Sequence, residues 1–213
     1  MVIPGYNGVI DISHYQGTPS LQALQDAGIV AVIAKATQGL DLRDLTYFEK
    51  KNALKNAGLK WGSYHYSSGS NPALQVENYL GYAQPEPDEL IALDYEPSSF
   101  GPNMSYDQMV GFVELIYNRL GRYPVIYGGS LLRESLQNID QSILSNCALW
   151  YARYDYYPIG VPNIWNSWTL WQYTDGSLPA SLSDNFKSIP GFGQCDRDTY
   201  NGTQQQLLQN WPF

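Results

Sequence analysis

The sequence predicts an α/β fold, a barrel built from five β/α units followed by three further β-strands. Strand-like segments alternate with helix-like segments as far as residue 154. Such alternation implies right-handed crossovers and a parallel sheet. After residue 154 the helical period is lost, and the stretches 155–167 and 175–192 are rich in Pro, Gly, Asn and Ser. The last three strands are therefore expected to be joined by loops.

Eight short runs of apolar, β-branched or aromatic residues are typical of strands. Several are followed by a polar residue at the carboxyl end, the edge at which barrel enzymes build their active sites. This placement favours a closed barrel over a doubly wound open sheet, the competing architecture. The eight runs cover residues 8–13, 30–36, 60–66, 89–96, 123–129, 148–154, 169–174 and 193–198.

Five segments between the first six strands have helical features, and a sixth short helix is expected at 203–209. Gly28, Gly58 and Gly121 follow three of these segments and are typical helix-ending residues. The five segments cover residues 18–27, 47–57, 72–82, 105–120 and 130–144. With no linker or internal repeat, residues 1–213 are interpreted as a single barrel domain without a separate binding module.

Composition excludes several classes of function. The chain has 12 Lys and Arg against 20 Asp and Glu, a net charge of −8, and no basic run, so no nucleic-acid partner is expected. No apolar run is long enough for membrane insertion. No signal peptide is visible at the N-terminus. The two cysteines, Cys147 and Cys195, are too few for a disulfide framework. The protein is expected to be a monomer.

Carboxylates carry the predicted chemistry. In LDYEP (93–97), strand alternation places Asp94 and Glu96 on one face near the barrel mouth. Carboxylates this close resist simultaneous ionisation, so one of them should keep a proton, as glycosidic bond cleavage requires. Asp11 lies at the end of the first strand and Asp196 in the last. Since these strands are neighbours in a closed barrel, we expect the two aspartates to lie side by side.

Aromatic residues at strand ends indicate a sugar-binding surface. The chain has 18 Tyr and 6 Trp, and flat rings stack on the C–H faces of pyranoses. Amides at the strand ends can bond sugar hydroxyls. The candidate substrate-binding residues are Tyr64, Tyr66, Tyr127, Tyr154, Trp171, Gln172 and Gln38.

Other chemistries find little support. The only histidines, His14 and His65, lack metal-ligand spacing, so no metal site is expected. No phosphate-binding loop, dinucleotide-binding motif or G-x-S-x-G motif is present, so no cofactor is expected.

The chain resembles the family 25 glycoside hydrolases, the Chalaropsis-type lysozymes of bacteria, fungi and phages. The resemblance is carried by the order and spacing of DISHYQG, AKATQG, GSYHY, ALDYEP, YPVIYGG, LWYARY, WQYTDG and CDRDTYNGT. It implies a modified TIM-like barrel and cleavage of the β-1,4 bond between N-acetylmuramic acid and N-acetylglucosamine in bacterial peptidoglycan.

The resemblance also implies residue roles. Glu96 matches the family's general acid/base, and Asp94 matches either the nucleophile or the support for the substrate's own acetamido group. Asp11 and Asp196 match the other two acidic residues of the cleft. Gln38 departs from the family pattern, which commonly has Glu at that position.

Retention of anomeric configuration is expected, because two carboxylates lie on one strand and the substrate carries an N-acetyl group. The enzyme is expected to act outside the cell or on the cell wall, released by a phage or after loss of a signal. The alternatives are another carbohydrate hydrolase, such as a chitinase, and a non-catalytic sugar-binding or phage structural module on the same scaffold.

Overall fold

The computed structural model describes residues 3–213, which form a closed eight-stranded barrel. The barrel strands are β1 (Tyr6–Ile12), β2 (Ala31–Gln38), β3 (Lys60–Tyr66), β4 (Leu90–Asp94), β5 (Val125–Gly128), β6 (Leu149–Ala152), β7 (Leu170–Thr174) and β8 (Asp196–Tyr200). Each overlaps one of the eight predicted strands. A two-residue strand, Leu42–Arg43, extends the sheet beside β2.

Helices follow the first five strands, as predicted, and the last three barrel strands are joined by mostly irregular segments. The helices are α1 (Leu21–Asp26), α2 (Tyr47–Asn56), α3 (Pro72–Ala83), α4 (Tyr106–Leu120), α5 (Ser130–Ser135), α6 (Asp184–Lys187) and α7 (Gln204–Asn210), with a 3₁₀ turn at Ile143–Asn146. The amphipathic α4 begins at a Ser105 capping box and ends at Gly121, whose φ of 68° suits glycine.

One of the eight barrel strands, β8, runs in the opposite direction to the other seven. Strands β1 to β7 are parallel where they pair, and β1 also pairs with β2. Strand β8 closes the barrel by inserting between β1 and β7, antiparallel to both. Its first residue, Asp196, therefore lies at the rim formed by the carboxyl ends of the other strands.

Two predicted elements differ from the structure. The strand predicted over 193–198 is two elements, because Gly193–Gln194 pairs with Ser188–Ile189 in a separate ribbon before β8 begins. The helix predicted over 130–144 ends at Ser135. Asn138, Asp140 and Ser142 follow, residue types that compete with helical backbone bonds, and Ser142 instead caps the 3₁₀ turn.

Side-chain alternation creates two apolar layers. Residues such as Val9, Ile33 and Ala92 fill the barrel interior, whereas Ile91 and Leu93 face outward and pack with the helices. Polar side chains at the carboxyl ends of the strands that follow the same alternation as the interior residues point into the barrel. The rim is therefore the place where the barrel presents a chemical site.

Both cysteines, Cys147 and Cys195, are free thiols buried in the outer layer. Within residues 3–213, no helix has the length and apolar character needed to cross a membrane.

Candidate active site

A cleft of about 220 Å³ opens at the carboxyl rim of the barrel. Carboxylate, tyrosine and amide side chains from most of the barrel strands converge on it. Its lining residues are Asp11, Ser13, Tyr15, Gln16, Lys35, Tyr64, Tyr66, Asp94, Glu96, Tyr127, Trp150, Tyr154, Gln172 and Asp196. All four predicted catalytic carboxylates are thus brought to one cavity.

Asp94 and Glu96 enter the cleft from the end of β4. Asp94 is the last residue of the strand and is buried, and Glu96 lies just beyond it, half-buried. Tyr95 between them points into the outer layer, where its hydroxyl meets Ser135 Oγ at 2.8 Å. This alternation places the two carboxylates together on the cleft side, as the sequence predicts.

Asp11 and Asp196 face this pair from β1 and β8. They are direct register partners, so the predicted side-by-side arrangement is confirmed. Gln172 Nε2 donates a 2.7 Å hydrogen bond to Asp11 Oδ2. The hydroxyls of Tyr127 and Tyr154 both donate to Gln172 Oε1, at 2.7 and 2.9 Å. Gln172 therefore links two tyrosines to one carboxylate.

Burial raises the pKa of every carboxyl in the cluster. For Asp94, burial raises the pKa well above its ordinary value, and the nearby charge of Glu96 raises it further, while Lys35 opposes both. Burial also raises the pKa of Glu96, against the nearby Tyr127 hydroxyl and the charge of Lys35. Burial, Asp175 and Glu96 raise the pKa of Asp196 to about 7. The cluster therefore retains protons at a pH where isolated carboxyls have lost them.

Lys35 is a cleft residue that sequence reasoning missed. Its ammonium donates a 2.7 Å hydrogen bond to Gln38 Oε1 and lies 4.7 Å from the centre of the Tyr66 ring. Burial lowers the pKa of Lys35, while Asp94 raises it. The cluster thus has a cation beside it. The sequence contains the necessary signal. Lys35 lies two residues after Ile33 on β2, and strand alternation places both side chains on the inward face.

Asp198, which was not predicted either, does not line the cleft but lies close to Asp11. It is fully buried on β8, two residues beyond Asp196 on the same face, and Trp150 Nε1 donates a 2.6 Å hydrogen bond to its Oδ1. Burial raises the pKa of Asp198 to about 8, against the hydrogen bond from Trp150. Its spacing from Asp196 was a sufficient sequence signal, since residues i and i+2 share a strand face. Ser13, Tyr15, Gln16 and Trp150 complete the lining residues that were not predicted.

Five of the seven predicted substrate-binding residues line the cleft: Tyr64, Tyr66, Tyr127, Tyr154 and Gln172. Trp171 does not. It is fully buried in the outer layer, and its Nε1 donates to the Arg153 carbonyl oxygen at 2.8 Å. Since adjacent residues of a strand face opposite sides, Trp171 and Gln172 cannot both enter the cleft.

Gln38 lies beside the cleft rather than in its lining. It borders a neighbouring groove with Leu40, Leu42 and Phe100 and touches the site through Lys35. His65, another polar residue near a strand end, faces outward and is buried between Thr37 Oγ1 at 2.8 Å and Gln75 Oε1 at 3.2 Å.

One acidic group, Glu86, Asp88 and Glu89, has carboxylate oxygens close enough to share an ion. The Lys55 ammonium already contacts all three, at 2.9, 3.1 and 2.7 Å. This group precedes β4 at the opposite end of the barrel from the cleft. It is therefore an ion-pair network in its own right, remote from the candidate chemistry.

A barrel with paired inward carboxylates in a tyrosine-lined cleft at its carboxyl rim has the architecture of a glycoside hydrolase. Residues 10–180 match the family model described as glycosyl hydrolases family 25. The chain belongs to this family, and its eight-stranded mixed barrel is the family's modified TIM-like barrel.

Individual relatives agree with this assignment. The chain is 30% identical over 179 residues to the autolytic lysozyme of Clostridium acetobutylicum, a match that covers 82% of this chain and 52% of that protein. The chain thus spans about half the length of that relative. Among solved structures, a bacterial lysozyme from Streptomyces coelicolor superposes with a TM-score of 0.82 at 25% identity, covering 97% of each chain. A muramidase from Trichobolus zukalii gives 0.78 at 27% identity, covering 95% of this chain and 96% of that one.

Proposed function

We propose that this chain is a lysozyme that hydrolyses the β-1,4 bond between N-acetylmuramic acid and N-acetylglucosamine in bacterial peptidoglycan. Membership of family 25 supports the proposal, as do relatives named lysozyme and muramidase. The observation that carries it is the convergence of Asp94 and Glu96 in one buried cleft, with the pKa of each raised by burial. Residues 1–213 act as one catalytic domain in this proposal.

Glu96 is the general acid/base. It is the more accessible carboxyl of the pair, so a glycosidic oxygen in the cleft can approach it. Burial favours its protonated form, which is the form that donates a proton to the leaving oxygen. After the leaving sugar departs, the resulting carboxylate accepts a proton from the incoming water.

Asp94 stabilises the positive charge that develops at the anomeric carbon, either as nucleophile or by supporting the substrate's acetamido group. Its Oδ1 is buried and has no hydrogen-bond partner among the described residues, so this oxygen is not committed to another group of the protein. Both roles require ionised Asp94, and the Lys35 ammonium favours that form against burial and the charge of Glu96, which raise the pKa of Asp94. Either route passes through two displacements at the same carbon, and we expect net retention.

Asp11 and Asp196 bind substrate from the opposite wall of the cleft, and their charges contribute to the electrostatic field around Asp94 and Glu96. The Gln172 amide fixes Asp11 and orients the hydroxyls of Tyr127 and Tyr154. These tyrosines and Tyr64 supply polar hydroxyls and ring faces, which suit the amphipathic surface of a pyranose. The site of action in this proposal is the bacterial cell wall, outside the cytoplasm.

Purified cell walls provide the direct test. The protein should lower the turbidity of a wall suspension and release reducing ends. Borohydride reduction of these ends should convert muramic acid, and not glucosamine, to its alditol. Reduced glucosamine would identify a glucosaminidase instead, and binding without new reducing ends would identify a non-catalytic sugar-binding module.

A further inference from the structure

A second groove runs from the cleft along the carboxyl ends of β5 and β6. It shares Glu96 and Tyr154 with the cleft and has a volume of about 220 Å³. Gly129, Ser130, Arg133, Ala152 and Arg153 form the rest of its lining. We refer to it as the arginine groove, because Arg133 and Arg153 are its only basic residues.

Arg133 is held in place by neutral partners. Its Nη1 donates to the Tyr151 hydroxyl oxygen at 3.1 Å, and its guanidinium carbon lies 5.8 Å from the centre of that ring. The Tyr151 hydroxyl in turn donates toward the carbonyl oxygens of Ile159 and Gly160, at 2.8 and 3.0 Å. Tyr151 is fully buried, so this anchor is part of the rigid barrel wall.

The charge of Arg133 has no carboxylate partner. Within residues 3–213, no Asp or Glu oxygen lies within 4.0 Å of its guanidinium, although the chain carries a net charge of −8. Only one of its five N–H donors is used by the Tyr151 contact. A half-buried guanidinium with free donors beside a cleft is suited to a planar anion.

Arg153 adds a second, partly compensated cation. Its Nη2 lies 3.4 Å from Asp155 Oδ2, a long contact between side chains that are 31% and 40% exposed. The remaining donors of Arg153 are free to contact a ligand. The other charged group of the groove is Glu96, whose proposed acid form is neutral when substrate binds.

The main cleft has the opposite character. Asp11, Asp94, Glu96 and Asp196 line it, and Lys35 is its only basic residue. An anionic substituent next to the scissile bond would be repelled by this cluster unless a cation lay close by. The arginine groove is the adjoining surface that supplies such a cation.

We propose that the arginine groove binds a carboxylate of the peptide attached to muramic acid, so that the enzyme recognises the acidic stem as well as the glycan. This inference rests on the proposed function and specifies that the enzyme recognises the peptide carboxylate of that substrate. Gly129 lies in the lining of this groove, where a Cβ would stand only 3.2 Å from the Ala152 carbonyl oxygen, so the groove wall at this point is backbone.

The test compares two forms of soluble glycan strands. One form carries native stem peptides, and the other carries stems whose carboxylates have been converted to carboxamides. The variants are Arg133→Gln, Arg153→Gln and their combination, with Arg119→Gln as control. Arg119 lies on α4 in an exposed pair with Glu77, so its replacement removes the same charge far from the groove.

On native strands, the double variant should raise KM about tenfold, the scale of a lost charge-assisted hydrogen bond. On amidated strands, the difference from wild type should shrink below about twofold. Arg119→Gln should match wild type on both. Equal losses on native and amidated strands, or no loss on either, would overturn the proposal.

Binding provides a readout that does not depend on turnover. Calorimetry with a soluble disaccharide–peptide should show about tenfold weaker affinity for the double variant than for Arg119→Gln. Equal affinities would overturn the groove assignment even in a protein that cleaves nothing. Failure of wild type to cleave native strands would instead contradict the proposed function, so the two failures are distinguishable.

A parallel arm removes the peptide with an amidase, which frees the lactyl carboxylate on muramic acid. Loss of the arginine dependence on these strands supports recognition of the stem. An arginine dependence as large as on native strands would overturn the stem assignment, because these strands carry no stem peptide.

Discussion

The Lys35 ammonium donates a 2.7 Å hydrogen bond to Oε1 of Gln38, and the charge of the same ammonium opposes the rise in pKa that burial causes at Asp94 and Glu96. Gln38 therefore reaches the candidate catalytic pair through an intermediary. A neutral amide at this position accepts the hydrogen bond and leaves the full charge of Lys35 to act on the carboxylates.

Gln38→Glu is expected to move the alkaline limb of the pH–rate profile upward by less than about 1 unit while activity is retained. The new carboxylate would pair with Lys35 and weaken its stabilisation of ionised Asp94 and Glu96, so the acid would keep its proton to higher pH. The measurement is kcat/KM between about pH 4 and pH 8. Gln38→Met, which removes the hydrogen bond without adding charge, is the control. An unmoved or lowered limb in Gln38→Glu would contradict the electrostatic account.

Glu96→Gln should reduce wall hydrolysis by about 10²-fold or more, because the amide keeps size and polarity but has no transferable proton. Thermal unfolding should be unchanged, since Glu96 is half-buried at the rim and not part of the core. Glu114→Gln, at an exposed position on α4, is the matched control and should retain full activity. Near-normal turnover by Glu96→Gln would remove this residue from the mechanism.

Cleavage should proceed with retention. Proton NMR of the first-formed product should show the β-anomer before mutarotation. The expectation follows from an acid and a second carboxylate on one strand end, with an acetamido group available on the substrate. An initial α-anomer would mean inversion and a water placed on the opposite face of the sugar.

Stability should fall as the pH rises toward 8, because Asp198 has a pKa near 8 in the fold and an ordinary value of 3.8. Between these values the folded chain binds the proton more tightly than the unfolded chain does. The contribution of Asp198 is therefore present at low pH and is lost as the pH rises through its folded pKa, with a slope of at most about 1.4 kcal/mol per pH unit.

Asp198→Asn should flatten this dependence, since the amide oxygen can still accept the Trp150 N–H and the side chain no longer ionises. Urea unfolding at several pH values measures the slope for wild type and variant. Asp140→Asn, in an exposed loop, should leave the slope as in wild type. Parallel curves for Asp198→Asn and wild type would show that Asp198 does not cause the effect.

Strand order and the carboxylate cluster were predictable because both follow from alternation. The β/α pattern defines which residues end strands, and inward parity brings Asp11, Asp94 and Glu96 to one rim. Strict alternation excludes Trp171 from the inward face of the barrel and includes Lys35 and Asp198 on it. Chemical type alone does not distinguish these residues, whereas the strand face does.

Other features depend on irregularities that no periodic pattern encodes. A register shift in β2 between Lys35 and Thr37 reverses the parity of the strand end, so that Thr37 pairs with outward-facing His65 and Gln38 pairs with Tyr66. The reversal of β8 is another case, because its short loop-joined segment carries no signal of direction. The arginine groove depends on how α5 packs over β5 and β6, which is tertiary information.

The position of β8 also determines when the cleft comes into existence. Gln172 and Asp11 are bonded to each other although 161 residues separate them, and β8 inserts between the strands that carry them. A growing chain on the ribosome lacks strand β8, so strand β1 has no hydrogen-bonded neighbour on one side. Contacts of such long range form late in folding. The acidic cluster is consequently completed only at barrel closure, so an unfinished chain carries no complete candidate site.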